Sequence, residues 1–288
     1  VLYELLTGDK PYRLRRQSDA EWERAILEVS PPRPSVAVQR LAEAGFDLMS
    51  LANNHARDFG DDGLRQTVQA LAHVGVAGTG WAGSGPASIE RNGQRLCLLA
   101  FAPNRGMNDI RDVGGAARQV QSARQYCHLV VVSFHGGAEG SDKMRTPLGN
   151  ETYLGENRGN VRLFSRAMID AGAHLVFGHG PHVPRGMELY RGHVIAYSLG
   201  NFMTYGGMNV SGVLGYAPLL LVNLDAHGRL INGRIDSYIQ SPRQPLAADP
   251  QMRAARAIIQ LTEADFGGGG LGFDTQGGFT PRPKPSTP

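Results

Sequence analysis

Apolar and polar positions along the chain follow two rhythms, and the points where one gives way to the other mark its elements. A three-to-four-residue rhythm predicts a helix over 19–29, where Trp22, Ile26 and Val29 share a face behind the capping Ser18. Pro31-Pro32-Arg33-Pro34 stops it, and a second helix ends at Ala44 with Val38 and Leu41 inward and Gly45 as its cap. The rhythm returns over 61–74 through Leu64, Val68, Leu71 and Val74, then over 116–126, 161–171 and 250–264. Short apolar runs without it predict buried strands over 46–51, 76–79, 129–134 and 174–177. Three hairpins are written in turn residues: 88–90 and 94–100 across Asn92-Gly93, 187–190 and 194–197 across Arg191-Gly192, and 219–224 and 229–237 across Ala226-His227-Gly228. From Phe266 onward, the glycines 267–270 and the Pro-rich end read as a flexible tail, leaving one domain over 1–265.

Three times the order is helix, apolar strand, histidine-bearing loop, which predicts an α/β sandwich of sheet and helices with one site at the strand ends. The loops are Asn53-Asn54-His55-Ala56-Arg57-Asp58, His135-Gly136-Gly137-Ala138-Glu139 and Gly178-His179-Gly180-Pro181-His182. Asn54 offers a carbonyl oxygen, His55 a nitrogen or a proton, and Asp58 an acceptor able to fix the His55 tautomer. His135 and His179 directly follow strands and have glycine beside them, which leaves room for an ion or substrate. Neutral imidazoles with an amide oxygen suit a divalent transition ion such as Zn, Mn or Fe rather than Ca. His179 and His182 could present nitrogens to two adjacent ions, which would clamp a phosphoryl or carbonyl oxygen. The other reading is of histidines that cap strand ends through backbone hydrogen bonds; His193 is a further, less central member of the set.

Other polar residues have open roles. Glu139 could be a general acid or base, a partner of a ligand, or a solvated carboxylate. Asn201, in Ser198-Leu199-Gly200-Asn201-Phe202, could donate to substrate or form a turn. Arg158, in the long loop 140–160, would be the natural anion clamp if it is not a plain solvent contact, and Arg105 beside Asn104 has the same standing. No serine nucleophile elbow, Walker loop or dinucleotide glycine fingerprint is present.

Composition changes this picture little. A net charge of +3 with scattered Lys and Arg argues against nucleic acid, which calls for a clustered basic stripe. The two cysteines, Cys97 and Cys127, read as free buried thiols in or beside core strands. No apolar run approaches the ~20 residues of a membrane span.

Together the motifs Ser50 to His55 with Asp58 and Gly60, Ser133-Phe134-His135-Gly136-Gly137 with Glu139, Gly178 to His182, and Tyr197 to Phe202 resemble the CapA family, linked to poly-gamma-glutamate capsule synthesis, in order over roughly 31–237. The family is similar in fold to the calcineurin-like metallophosphoesterases, so the resemblance implies an α/β/β/α sandwich of two mixed sheets with metals at the strand ends. It implies Asn54 as a metal ligand, His55 facing the scissile group with Asp58 orienting it, His135 and His179 on one metal, and His182 on the other or on substrate. It further implies a hydrolase of a phosphoester or amide, an anionic polymer or phosphorylated small molecule as partner, possible biosynthetic partners, and a place in the cell envelope or periplasm. An alternative is a non-catalytic module that holds or exports the polymer. The Gly-Asp and Asn-Leu-Glu motifs that precede the Asn-Asn-His loop in the family are absent here, so the expectation is a chain lacking the first strand or two and their carboxylate ligands.

Overall fold

A computed structural model describes residues 34–204 and 208–283. The helix expected over 19–29 and the turns before it lie outside these residues. Within them, the expected helices and strands are present, with ends moved by a turn or less.

The chain begins with α1 (Pro34–Glu43), β1 (Leu48–Ser50), α2 (Gly60–His73) and β2 (Ala77–Thr79), β1 and β2 pairing in parallel. Val38, Leu51, Leu71 and Val76 form a small core between them. The strand expected over 46–51 as deeply buried is shorter and only half-buried, with Phe46 exposed. Its one described neighbour is β2, so it lacks the cover that a central strand receives from both sides.

The main sheet has the order β3-β4-β5-β8-β10-β9, built from β3 (Ala87–Arg91), β4 (Gln94–Phe101), β5 (Leu129–His135), β8 (Leu175–His179), β10 (His193–Ala196) and β9 (Met187–Tyr190). The two outer strands pair antiparallel, while β4, β5, β8 and β10 run parallel and so end on one edge. Asn92 and Gly93 take φ of 52° and 72°, the left-handed pair that a two-residue hairpin turn needs. Between β5 and β8 come a small hairpin, β6 (Thr152–Tyr153) and β7 (Glu156–Asn157), and α4 (Val161–Asp170); α3 (Val113–Ala123) precedes β5. Side chains alternate across a strand, so Val130, Val132 and Phe134 pack with Phe101, Val120, Phe164 and Met168 against α3 and α4. Val131, Ser133 and His135 therefore face the other way.

That other face meets a second sheet of β11 (Tyr216–Leu224), β12 (Leu230–Ile239), β13 (Ala247–Ala248), β14 (Leu271–Phe273) and β15 (Gly278–Pro281). Met187, Val194, Ile235, Ile258 and Phe279 fill the interlayer core, and α5 (Arg253–Phe266) closes it beside β9 and β12. The result is an α/β sandwich of two sheets flanked by helices. Only the main sheet is mixed; every described pair in the second is antiparallel.

Two expectations are corrected here. Residues past Phe266 are not a loose tail, because Leu271 and Phe279 are buried in the interlayer core, β14 pairs with β15, and β15 pairs with β12. Gly267 to Gly270 all hold positive φ, from 58° to 85°, so this run is a tight reversal rather than a linker. The cysteines are not free: Cys97 on β4 and Cys127 just before β5 are joined in a disulfide with Cα atoms 6.0 Å apart. Neighbouring strands bring them together, Cys97 lying in register with Val130.

The long loop 140–160 is pinned from below. Arg185, fully buried, bonds both oxygens of Glu151 at 2.8 and 2.7 Å and the carbonyl of Lys143 at 2.8 Å. Glu151 also accepts from the Ala138 amide at 3.0 Å. Near the loop's start, Asp265 at the end of α5 pairs with Arg145 and accepts from the Thr146 amide at 2.8 Å.

Replacing both cysteines by Ala, which frees a cross-link spanning 30 residues, should cost about 3–4 kcal/mol in urea unfolding, the loop-entropy value for that span. Glu151→Ala should cost about 3–5 kcal/mol by stranding a buried guanidinium, whereas the apolar double replacement Glu151→Leu with Arg185→Met should recover most of that loss in the same measurement.

Candidate functional site

The carboxyl ends of the parallel strands gather the polar residues. His135 ends β5 and His179 ends β8, and the two are register partners in the parallel pair. Residues paired in register lie on the same face, so both imidazoles stand side by side on the face toward the second sheet. Glycine makes this approach possible. A Cβ on Gly178 would sit 2.1 Å from the Phe134 ring, and one on Gly180, where φ is +127°, would sit 2.5 Å from the Gly136 carbonyl. The loops after β5 and β8 are thus laid backbone on backbone, with the Gly136 amide bonding the His179 carbonyl at 2.8 Å.

The Asn-Asn-His loop closes one side. Asn53 accepts from the His55 amide at 2.8 Å, a local turn that fixes the ring's direction. His55 Nδ1 lies 3.0 Å from Asp58 Oδ2, and since a carboxylate only accepts, Nδ1 carries the proton. His55 Nε2 is then a lone pair, facing Asn54 Nδ2 at 3.3 Å. This orients the Asn54 amide so that its Oδ1 points elsewhere, where it is buried with no hydrogen-bond partner.

His135 Nε2 is likewise buried and unpartnered. Burial, then the charge of Arg158, pushes this imidazole down to about 3, so it is neutral at ordinary pH. His179 is also lowered by burial, and its Nδ1 lies 3.3 Å from the Gly200 carbonyl, leaving Nε2 as its lone pair.

His182 differs. Its Nδ1 is 2.8 Å from Asn201 Oδ1 and its Nε2 is 3.5 Å from Glu139 Oε2. Burial pulls this imidazole down, but the acceptor oxygens of Glu139 and Asn201 outweigh it and leave it raised. Glu139 shows the converse: burial pushes it up, and the His182 bond with the His182 and Arg158 charges leaves it lowered. Each partner thus favours the charged form of the other.

Arg158 is not a free clamp for anions or a solvent contact. Only 4% exposed, it is ion-paired to Glu139, lies 3.2 Å from Glu156, and sits 5.5 Å over the Tyr153 ring. Glu156 in turn accepts from Asn104 at 3.2 Å. Arg105 is exposed, and its carbonyl accepts from Arg57 at 3.3 Å. His193 falls away from the cleft altogether: it begins β10 at the opposite edge, bonded to the Gly228 carbonyl at 2.8 Å and packed edge-on against His174.

Of the expected site residues, then, Asn54, His55, Asp58, His135, Glu139, Arg158, His179, His182 and Asn201 all lie at this edge. His182 Nδ1 is engaged by Asn201, which leaves Nε2, 3.5 Å from Glu139, as the only ring atom it could offer an ion. Asn53 and Glu156 act through their neighbours; Asn53 was visible only as the first half of an Asn-Asn pair. Among the described residues, no three His, Cys, Asp or Glu side chains are grouped so as to hold a metal ion. What the site does supply is a neutral set, Asn54 Oδ1, His135 Nε2 and His179 Nε2, two of them buried without partners. That donor chemistry fits a divalent transition ion held in part by an amide oxygen.

The architecture and this edge define an α/β sandwich protein with a cluster of polar residues at the ends of its parallel strands. The chain belongs to the family described as bacterial capsule synthesis protein PGA_cap, whose model matches residues 16–205. It is 29% identical over 200 residues to the PGA biosynthesis protein CapA of Bacillus subtilis (63% of this chain, 49% of that one). It is 26% identical over 220 residues to the capsule biosynthesis protein CapA of Bacillus anthracis (69% of this chain, 50% of that one). The chain thus spans about half the length of these curated relatives. A Staphylococcus aureus chain assigned as a 5′-nucleotidase and crystallised with alpha-ketoglutarate aligns at 15% identity and a TM-score of 0.45, over 84% of this chain and 46% of that one, a likeness too distant to bear on function.

The unfolded His135 imidazole takes a proton near its ordinary 6.5, and the folded one only near about 3. Between those values the unfolded state binds more protons, so stability present above 6.5 is lost as pH falls. Urea unfolding of the metal-free chain should weaken over that window, and His135→Gln should flatten the fall.

Proposed function

We propose that this domain is a hydrolase of a phosphoester or amide in capsule or related envelope polymer metabolism, acting on an anionic polymer or a phosphorylated small molecule. The observation that carries the reading is two buried, unpartnered acceptors, Asn54 Oδ1 and His135 Nε2, at the same edge as a His-Asp dyad. Leaving such atoms unsatisfied costs ~1–3 kcal/mol each, a penalty that a bound cation would remove. Asn54, His135 and His179 would hold the ion, which when bound would polarise the scissile oxygen and ease ionisation of water.

The chain's own residues do the rest. Asp58 keeps the proton on His55 Nδ1, so Nε2 is an available base with a fixed direction. Its contact to Asn54 at 3.3 Å is long and readily given up to an attacking water. His182, whose proton affinity the Glu139 and Asn201 contacts raise, would present its ring to a negatively charged substrate oxygen. Glu139 is held on both oxygens, so it serves the site through His182 rather than as a free base. The disulfide supports a location in an oxidising compartment, such as the cell envelope, where such cross-links persist.

The test is elemental analysis of the chain after equilibration with Mn, Zn or Fe, alongside turnover of a generic phosphodiester and of gamma-glutamyl peptides. His135→Ala should lose bound metal and turnover together. His55→Ala should keep the metal and lose about 10²–10⁴-fold in kcat, the usual worth of a positioned acid or base. Binding of anionic polymer that survives both changes, with no turnover in the unaltered chain, would instead establish a non-catalytic polymer-holding module.

A further inference from the structure

At the opposite, amino edge of the main sheet, histidines cap the strands. His128, just before β5, donates its amide to the Arg95 carbonyl on β4 at 2.9 Å and accepts the Arg95 amide on its Nδ1 at 2.9 Å. His174, just before β8, repeats this on β5: its amide donates to the Val130 carbonyl at 2.8 Å, and its Nδ1 accepts the Val130 amide at 2.9 Å. Each ring extends the ladder one bond beyond the start of its own strand. His128 is exposed, so water can take its place; His174 is only 4% exposed, and water cannot.

A backbone amide can only donate, so His174 Nδ1 is a lone pair and the proton of the neutral ring is on Nε2. His193 has the opposite tautomer. The Gly228 carbonyl, 2.8 Å from its Nδ1, can only accept, so there Nδ1 carries the proton. The two rings meet edge-on with centroids 5.6 Å apart. The β11–β12 turn lies against them: a Cβ on Gly228, where φ is +70°, would come 2.0 Å from His174 Cδ2, and the Leu230 amide donates to the Gly192 carbonyl at 3.0 Å. Leu230 itself is buried in the interlayer core. A turn of the second sheet is thus fastened to the first beside two imidazoles in fixed, unlike tautomers.

A proton on His174 Nδ1 cannot coexist with the Val130 bond, since two donors would then face each other. Burial, then the Arg124 and His193 charges, hold this imidazole down to about 4, against the pull of Asp225 in the turn. Arg124, at the end of α3, is itself fixed on the Cys127 and His128 carbonyls, both at 2.9 Å. His227 and Arg229, the turn's other ionisable side chains, are exposed. Once the turn lifts, the His174 ring meets water and takes a proton near its ordinary 6.5. The closed form therefore binds fewer protons than the open one, so the stability it has above 6.5 is lost as pH falls toward 4.

We propose that His174 and His193 form an acid-released clasp between the two sheets, in which protonation of His174 frees the Val130 amide and lets the β11–β12 turn lift from the main sheet without unfolding the domain. The clasp shares no residue with the Asn54, His135 and His179 set, and it does not depend on the hydrolytic reading.

The experiment is amide hydrogen exchange, read residue by residue by NMR on the full chain at about pH 7.5 and about pH 5 and expressed as protection factors, which cancel the intrinsic pH dependence of exchange. At both values the Val130 and Leu230 amides should exchange faster than those of Val132 and Ile195 in the central strands, marking an opening short of unfolding. Between the two values the protection of Val130 and Leu230 should fall together by about 30-fold, the ratio that an open-state 6.5 and a closed-state value of about 4 require. His174→Asn, whose Oδ1 can take the same amide but no proton, should keep the neutral-pH protection and lose the fall. His135→Gln should leave the fall in place, which separates the clasp from the loss of overall stability assigned to His135. Protection that does not change with pH in the unaltered chain, Val130 and Leu230 no faster than the central strands, or a fall that persists in folded His174→Asn would overturn the proposal. Should His174→Asn fail to fold, the unaltered chain still decides: a proton on His174 Nδ1 at neutral pH, seen by long-range proton–nitrogen correlation, would overturn it without any variant.

Discussion

The site depends on the close approach of two backbones at the ends of β5 and β8. Gly136 and Gly180 touch main chain to main chain, and Gly178 admits the Phe134 ring. With any side chain there, the two turns would part, and His135 and His179 would no longer be neighbours on one face. Parallel pairing sets the register, alternation sets the face, and absent Cβ atoms set the distance. The chemistry is a consequence of that packing.

Around this contact the polar groups divide into two kinds. One half of the edge is linked: Asn201, His182, Glu139, Arg158 and Glu156 follow one another in a chain of polar contacts, although Arg158 Nε and Nη1 and Asn104 Oδ1 have no hydrogen-bond partner. The other half is deliberately incomplete, with Asn54 Oδ1 and His135 Nε2 buried and unmatched. Buried polar groups are nearly always satisfied, so these two acceptors are where the proposed cation would be held.

Much of this was legible in the letters, for identifiable reasons. The β-branched run at 129–134 reads as a buried strand because it is covered on both faces, and Asn92-Gly93 reads as a turn because its φ values demand such residues. The histidines could be grouped because each follows a strand of the same sheet. The misreadings arise where tertiary contacts decide. The 46–51 strand looks central but has a single described partner. Four successive glycines look slack, yet they build one fixed reversal, because Leu271 and Phe279 find an apolar layer to fill. Cys97 and Cys127 look unrelated until β4 and β5 are seen to be neighbours. Arg158 looks like a solvent-facing hand because the loop's polarity hides the two carboxylates that enclose it. No spacing rule distinguishes His182 from His179; only their hydrogen-bond partners do.

The grip of Asp265 on Arg145 and Thr146 has a consequence for how the domain can be cut. The stretch that matches the family model stops at residue 205, before the second sheet and α5 begin. The end of that helix nevertheless fastens the loop bearing Glu151, Glu156 and Arg158, and Phe279 covers the back of the main sheet. The recognisable segment and the folding unit are therefore of different lengths. Excision at the motif boundary would uncover an apolar face and release one wall of the cleft, so grafting these loops elsewhere requires carrying the unmatched half along as their frame.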